Sequence, residues 1–216
     1  MTDAGPTKQQ DRDDAGFCST PHPLEIIEEE HALQLELCEL LESIADGLPG
    51  TFEPALAVIA ISILNGSVRA HIKFEEDALF PILRERLSPN DAVVQAMACL
   101  SQEHERDEDI ADELVEALKD ALKSGAPENP ETLGYILRGF FESQRRHIAW
   151  ENNVVLPAAR KALSVEDLAH LQDWIMTSEH PRCIRVPLLA IRTGKSATEL
   201  CVECPSSLGH EKRDVS

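Results

Sequence analysis

The chain states one pattern twice. His71-Ile72-Lys73-Phe74-Glu75, followed by Pro81, Arg84 and Leu87, returns 76 residues later as His147-Ile148-Ala149-Trp150-Glu151, followed by Pro157, Arg160 and Leu163. Arg69 has its mate in Arg145 at the same offset. A His and a Glu four apart share one face of a helix. Upstream of each copy stands a Glu-His pair in a polar helical stretch, Glu30-His31 and Glu103-His104. The order is therefore His, His-x-x-x-Glu, His, His-x-x-x-Glu. A fold that gathers these side chains has enough donors for two metal ions.

The pattern dictates helices. Helical spacing of Ile27, His31, Leu35, Cys38 and Leu41 predicts a first helix from about Leu24 to Asp46, stopped by Gly47-Leu48-Pro49-Gly50. A second is expected from Pro54, suited to a first helical turn, through His71 to about Arg86. Ser88-Pro89-Asn90 reads as a turn and cap region before a third helix, which runs through His104 to about Lys123. A fourth is expected from about Glu131 through His147 to Ala162, and Ser164 opens a short fifth that ends near Met176. Pro81 and Pro157 fall inside the second and fourth patterns, so a kink or break is expected in both. Long helices with short connections predict an all-α, up-down-up-down four-helix bundle. It would span residues 23–178, between a disordered lead (1–22) and an irregular tail (179–216).

Helical rise tests whether the histidines can meet. His31 lies about 15 residues, or roughly 22 Å, from its helix end, and His71 about 17 residues, roughly 25 Å, from its helix start. His104 lies roughly 28 Å from its helix end and His147 roughly 24 Å from its helix start. In antiparallel neighbours all four then sit at one level, which random placement would seldom achieve. The donor set His31, His71, Glu75, His104, His147 and Glu151 suits a first-row transition metal, with two irons preferred. Glu75 and Glu151 stand where they could bridge two ions. No Cys belongs to the set, which argues against a structural zinc site. His22, His170, His180 and His210 read as ordinary core or surface histidines.

Composition limits the partners. The net charge of −19 argues against nucleic acid and anionic membranes. No apolar run is expected to span a bilayer, and Met1 to Ala15 is polar without a signal-peptide core, so the expected compartment is the cytoplasm. The six cysteines show no disulfide-framework spacing, and Cys201-Val202-Glu203-Cys204 is a lone C-x-x-C in the tail, a weak signal.

At these residues the chain resembles the hemerythrin-like, or HHE cation-binding, family over about residues 24–176. The resemblance implies a four-helix bundle holding two non-haem Fe ions with an oxo or hydroxo bridge. It implies that His31, His71, His104 and His147 are terminal ligands and that Glu75 and Glu151 bridge. Oxygen-carrying members use a fifth histidine one turn after the third ligand, and here that position is Glu108. Their last carboxylate is an Asp five residues after its His, whereas Glu151 is four after His147. The four-His, two-Glu set is similar instead to bacterial stand-alone members and to the di-iron domain of iron–sulfur cluster repair proteins. The expected function is binding of O2 or a related small ligand, NO or peroxide, for carriage, sensing or iron handling. The alternative is an enzyme acting on NO or peroxide, or an iron donor in cluster repair. A small diatomic or peroxide ligand and an unidentified redox partner are implied, in a monomer or homodimer.

Further expectations concern the surroundings. Leu35 and Leu100, each one turn from a lone histidine, should pack near the metals, and Phe74 and Trp150 should be helix-contact residues. Cys38 reads as a buried thiol. Glu108 reads as a solvated charge in an acidic run, with an inward ligand as the alternative. Glu30 and Glu103 are either acceptors for imidazole N–H groups or part of an exposed face.

Overall fold

The computed structural model describes residues 22–178. The expected lead up to Pro21, the expected tail from residue 179, the Cys201/Cys204 pair, His180 and His210 lie outside the described residues. Helix α1 is Pro23–Gly47. His22, placed at the end of the expected lead, caps it: its Nδ1 accepts from the Leu24 N–H at 3.3 Å, and Glu25 accepts from the His22 N–H at 3.4 Å. Helix α2 is one continuous rod, Pro54–Arg86. Helix α3 is Ala92–Ser124, with Asp91 accepting from the Val93 N–H at 2.8 Å. Gly125 ends it with φ +83°, a left-handed conformation that a glycine adopts without penalty. Helix α4 covers 130–162, and Asn129 caps its start through the Thr132 N–H at 3.0 Å. Helix α5 is Val165–Thr177, opened by a reciprocal cap between Ser164 and Asp167.

Neither proline breaks its helix. Glu75–Leu79 and Glu151–Val155 each form a widened π turn that ends two residues before the proline. The Phe80 N–H reaches back five residues to the Glu75 carbonyl, and the Leu156 N–H does the same to Glu151. A proline donates no N–H and crowds the carbonyl four residues before it. One extra residue in the preceding turn eases that crowding, so helical hydrogen bonding continues past the proline. A third widened turn, Leu64–Val68, has no partner in α4, whose corresponding stretch is regular.

Each of the first four helices packs on the next, and α4 closes the ring against α1. Two apolar clusters fill the bundle. One, near the α1–α2 and α3–α4 connections, includes Leu41, Ile44, Leu64, Leu118, Leu137 and Phe140. The other, at the opposite end, includes Leu24, Ile27, Phe74, Phe80, Met97 and Leu171. Helix α5 seals that second end. Leu171 and Ile175 are buried in it, Trp174 lies 5.2 Å from Phe74 ring to ring, and Asp167 accepts from Arg86 at 2.6 and 2.9 Å. The Pro54–Arg86 helix corrects one expectation: by length and composition it is apolar enough to cross a membrane. Its inward face supplies Ala57, Ala60, Ile63 and Leu64 to the core, while Val58 on the outside stays 56% exposed.

Candidate metal centre

Between the two apolar clusters lies a polar layer. His31, His71, Glu75, His104, His147 and Glu151 are all buried there. Their donor atoms form two groups that share both glutamates: His31, His71, Glu75 and Glu151, and Glu75, His104, His147 and Glu151. Within each group one ligating atom per residue lies within 4.8 Å of the others.

Every histidine is held from behind. His71 Nδ1 lies 2.8 Å from Glu30 Oε2, and His147 Nδ1 lies 3.1 Å from Glu103 Oε2. His104 Nδ1 lies 2.7 Å from Glu76 Oε1, and His31 Nδ1 lies 2.8 Å from Asn152 Oδ1. An oxygen acceptor at Nδ1 fixes the proton there and leaves Nε2 as the free donor. All four Nε2 atoms turn inward. His31 Nε2 is 3.0 Å from Glu151 Oε2, His147 Nε2 is 2.8 Å from Glu151 Oε1, and His104 Nε2 is 3.3 Å from Glu75 Oε2. His71 Nε2 is 3.5 Å from Glu75 Oε2. The widened turns serve this geometry. Glu75 and Glu76, adjacent in sequence, meet the two nitrogens of His104, and Glu151 and Asn152 do the same for His31.

The residues fit a cation. Burying polar groups without hydrogen bonds is costly. Yet His31 Nε2, His71 Nε2, both Glu75 oxygens and Glu151 Oε2 are buried without a hydrogen-bonding partner. His31 Nε2 is close enough to Glu151 to pair by charge but is not aligned for a hydrogen bond. His104 Nε2 and His147 Nε2 face each other at 3.0 Å. Once deprotonated at Nε2, both rings would turn a lone pair toward that point. Cations would satisfy every one of these atoms.

Residues 22–159 match the hemerythrin HHE cation binding domain. The chain belongs to that family. No curated protein sequence matches it significantly. The HHE domain binds metal cations, and both overlapping His/Glu groups lie inside the matched span.

The histidines and glutamates of this HHE site shift one another's proton affinity. Burial by itself would lower the pKa of His31. Its contact with Glu151, the charge of Glu75 and the bond to Asn152 outweigh that and raise it to about 9. Burial likewise opposes the rise of His104, which Glu75, Glu76 and Glu151 carry to about 10. For Glu151 burial favours the neutral acid, but His147 and His31 hold it well below the usual carboxylate range.

The surroundings match some sequence expectations and correct others. Glu30 and Glu103 do accept from His71 and His147, and Leu100 is buried beside the layer. Cys38 is buried, which pushes its thiol up to about 12. Leu35 is not a wall of the site: at 38% exposed it lies on the outer flank of α1, where buried Gln34 takes the inward position instead. Trp150 is 56% exposed, unlike its repeat mate Phe74, because among the described residues the α5 helix that covers Phe74 has no counterpart over Trp150. Glu108 is half exposed and faces Arg69 at 4.0 Å, away from the histidines. Its neighbour Asp107 points inward, buried and bonded by Gln144 Nε2 at 2.7 Å. Burial raises the Asp107 pKa against the opposing pull of His147. Sequence reasoning missed Glu76, Asn152, Asp107 and Gln144. The repeat could have flagged the first two, since each follows a shared glutamate.

Proposed function

We propose that the chain is a non-haem di-iron protein that binds O2 or a related small ligand, NO or peroxide. The observation that carries this reading is the pair of four-residue groups sharing Glu75 and Glu151. One such group would serve one ion; two with both carboxylates in common suit two ions side by side. His31 and His71 would hold one, His104 and His147 the other, and the two glutamates would span both. Imidazole and carboxylate donors in this proportion suit iron, which supplies redox chemistry toward O2, NO and peroxide.

The chain's own residues set the conditions for that chemistry. The four Nδ1 bonds hold the rings so that Nε2 faces inward. The Phe80 ring lies stacked 5.9 Å from that of His104 and, with Phe74 and Leu79, keeps water from one side of the layer. With Glu108 at the surface, no fifth nitrogen or extra carboxylate among the described residues completes either group, which favours open coordination positions and reaction with small ligands. That feature supports the second reading, an enzyme acting on NO or peroxide or an iron donor in cluster repair. The net charge of −19 favours a small neutral ligand over nucleic acid. A cytoplasmic setting, no membrane partner and a monomeric or homodimeric state complete the proposal.

Loading the purified chain with ferrous iron under exclusion of oxygen, then recording optical spectra on adding O2, NO or peroxide, tests it. Two irons per chain and a reversible O2-dependent band are expected. Rapid turnover of NO or peroxide would favour the enzyme. Fewer than two irons per chain would sink both readings. His71→Ala and Glu151→Ala are each expected to lower iron content, and full loading of either variant would remove that residue from the set.

A further inference from the structure

The Nδ1 bonds come in two matched sets. The residue before each lone histidine accepts from the next helix: Glu30 from His71 and Glu103 from His147. The residue after each shared glutamate accepts from a lone histidine: Glu76 from His104 and Asn152 from His31. The 76-residue repeat relates Glu76 to Asn152. At that one position a carboxylate in the first copy faces a neutral amide in the second.

The pair His104 and His147 is thus backed by two carboxylates, Glu76 and Glu103. The pair His31 and His71 is backed by one carboxylate, Glu30, and one amide. A carboxylate on Nδ1–H pushes electron density toward Nε2 and adds negative charge near the ion; an amide does less of both. The supports also differ in firmness. Glu76 is held in turn by Ser101 Oγ at 3.0 Å, which accepts from Arg84 at 3.3 Å. Asn152 is exposed.

We propose that Asn152 makes the two cation positions unequal: the His104/His147 position fills first and holds tightly, and the His31/His71 position is the exchangeable one. Asn152 and Glu76 act here as positioning residues. The inference rests on the two-cation reading above. It gives the protein a resident ion and a labile one, the arrangement needed to hand over or sense a cation without emptying the site.

The test is a titration of the metal-free chain with Co2+ alone, against a competing chelator, with absorption spectra recorded at each step. Two steps at least about tenfold apart are expected in the unaltered chain, with distinct spectra. Asn152→Asp keeps the length and shape of the side chain and restores the charge. It is expected to tighten the weaker step by about tenfold, and to make the two spectra alike. Glu76→Gln is expected to close the gap from the other side by weakening the tighter step, and it serves if the Asp variant does not fold. Asn152→Ala is expected to weaken the second step alone. Two equal steps in the unaltered chain, or a gap unmoved in folded Asn152→Asp and Glu76→Gln, would overturn the inference and leave the two-cation reading intact. Fewer than two Co2+ per chain would overturn that reading itself.

Discussion

Each histidine of the layer has one nitrogen held and one turned inward, so proton traffic is confined to Nε2. Without a cation that proton stays, because Glu151, Glu75 and Glu76 raise His31 to about 9 and His104 to about 10 against the opposing effect of burial. A histidine with a raised folded pKa adds stability that is complete below its unfolded value near 6.5 and is lost as pH climbs through the folded value. The urea midpoint of the metal-free protein is therefore expected to fall between pH 6.5 and about 10, whereas the loaded protein lacks that drop. A flat midpoint for the metal-free protein would show these histidines neutral there. At this scale the six central side chains were legible in the sequence, since residue type, spacing and repetition all converge on them. The repeat pointed to Asn152 only by its place after Glu151. Asp107 was not legible, because it sits beside Glu108 in a run where single residues cannot be sorted inward or outward by type alone.

The helices show how local chemistry bends a rule without breaking it. Proline at positions 81 and 157 predicted interruption, and the chain answers with one extra residue per turn just upstream. A widened turn has no composition of its own, so periodicity could place the helices but not these turns. The unrepeated one, Leu64–Val68, contains Gly66, where an added Cβ would meet nothing within 4 Å. Its conformation needs no glycine, and glycine within a helix costs about 0.5–1 kcal/mol relative to alanine. Gly66→Ala is expected to stabilise the protein by about that amount in urea titration. A loss of stability would mean that the turn itself requires the glycine.

At the scale of the whole molecule, α5 is the piece that makes the two ends unlike. It closes the cluster around Phe74 and Phe80 and ties itself to α2 through Arg86 and Asp167. The bundle and this fifth helix were legible from pattern and capping, while its docking partner was not, because Arg86 and Asp167 are far apart in sequence. Leu171 is fully buried there, so Leu171→Ala is expected to cost about 2–5 kcal/mol. Iron content should be kept, because the damage lies at the end of the bundle beyond the histidines. Loss of iron in parallel with stability would show the end and the layer to be one unit.

The two apolar clusters are separated by the layer of histidines and glutamates. Oily interiors on either side of a charged waist have little reason to move together unless something neutralises the waist. With cations in place the two halves are expected to hold together; stripped of them, they are expected to open independently. Hydrogen exchange would read this as protection lost first around residues 30–34, 71–76, 104–107 and 147–152 of the metal-free protein. A cell short of the cation would then hold a hinged molecule, cut more easily at its middle than at its ends, and its abundance would track the supply of the ion it carries.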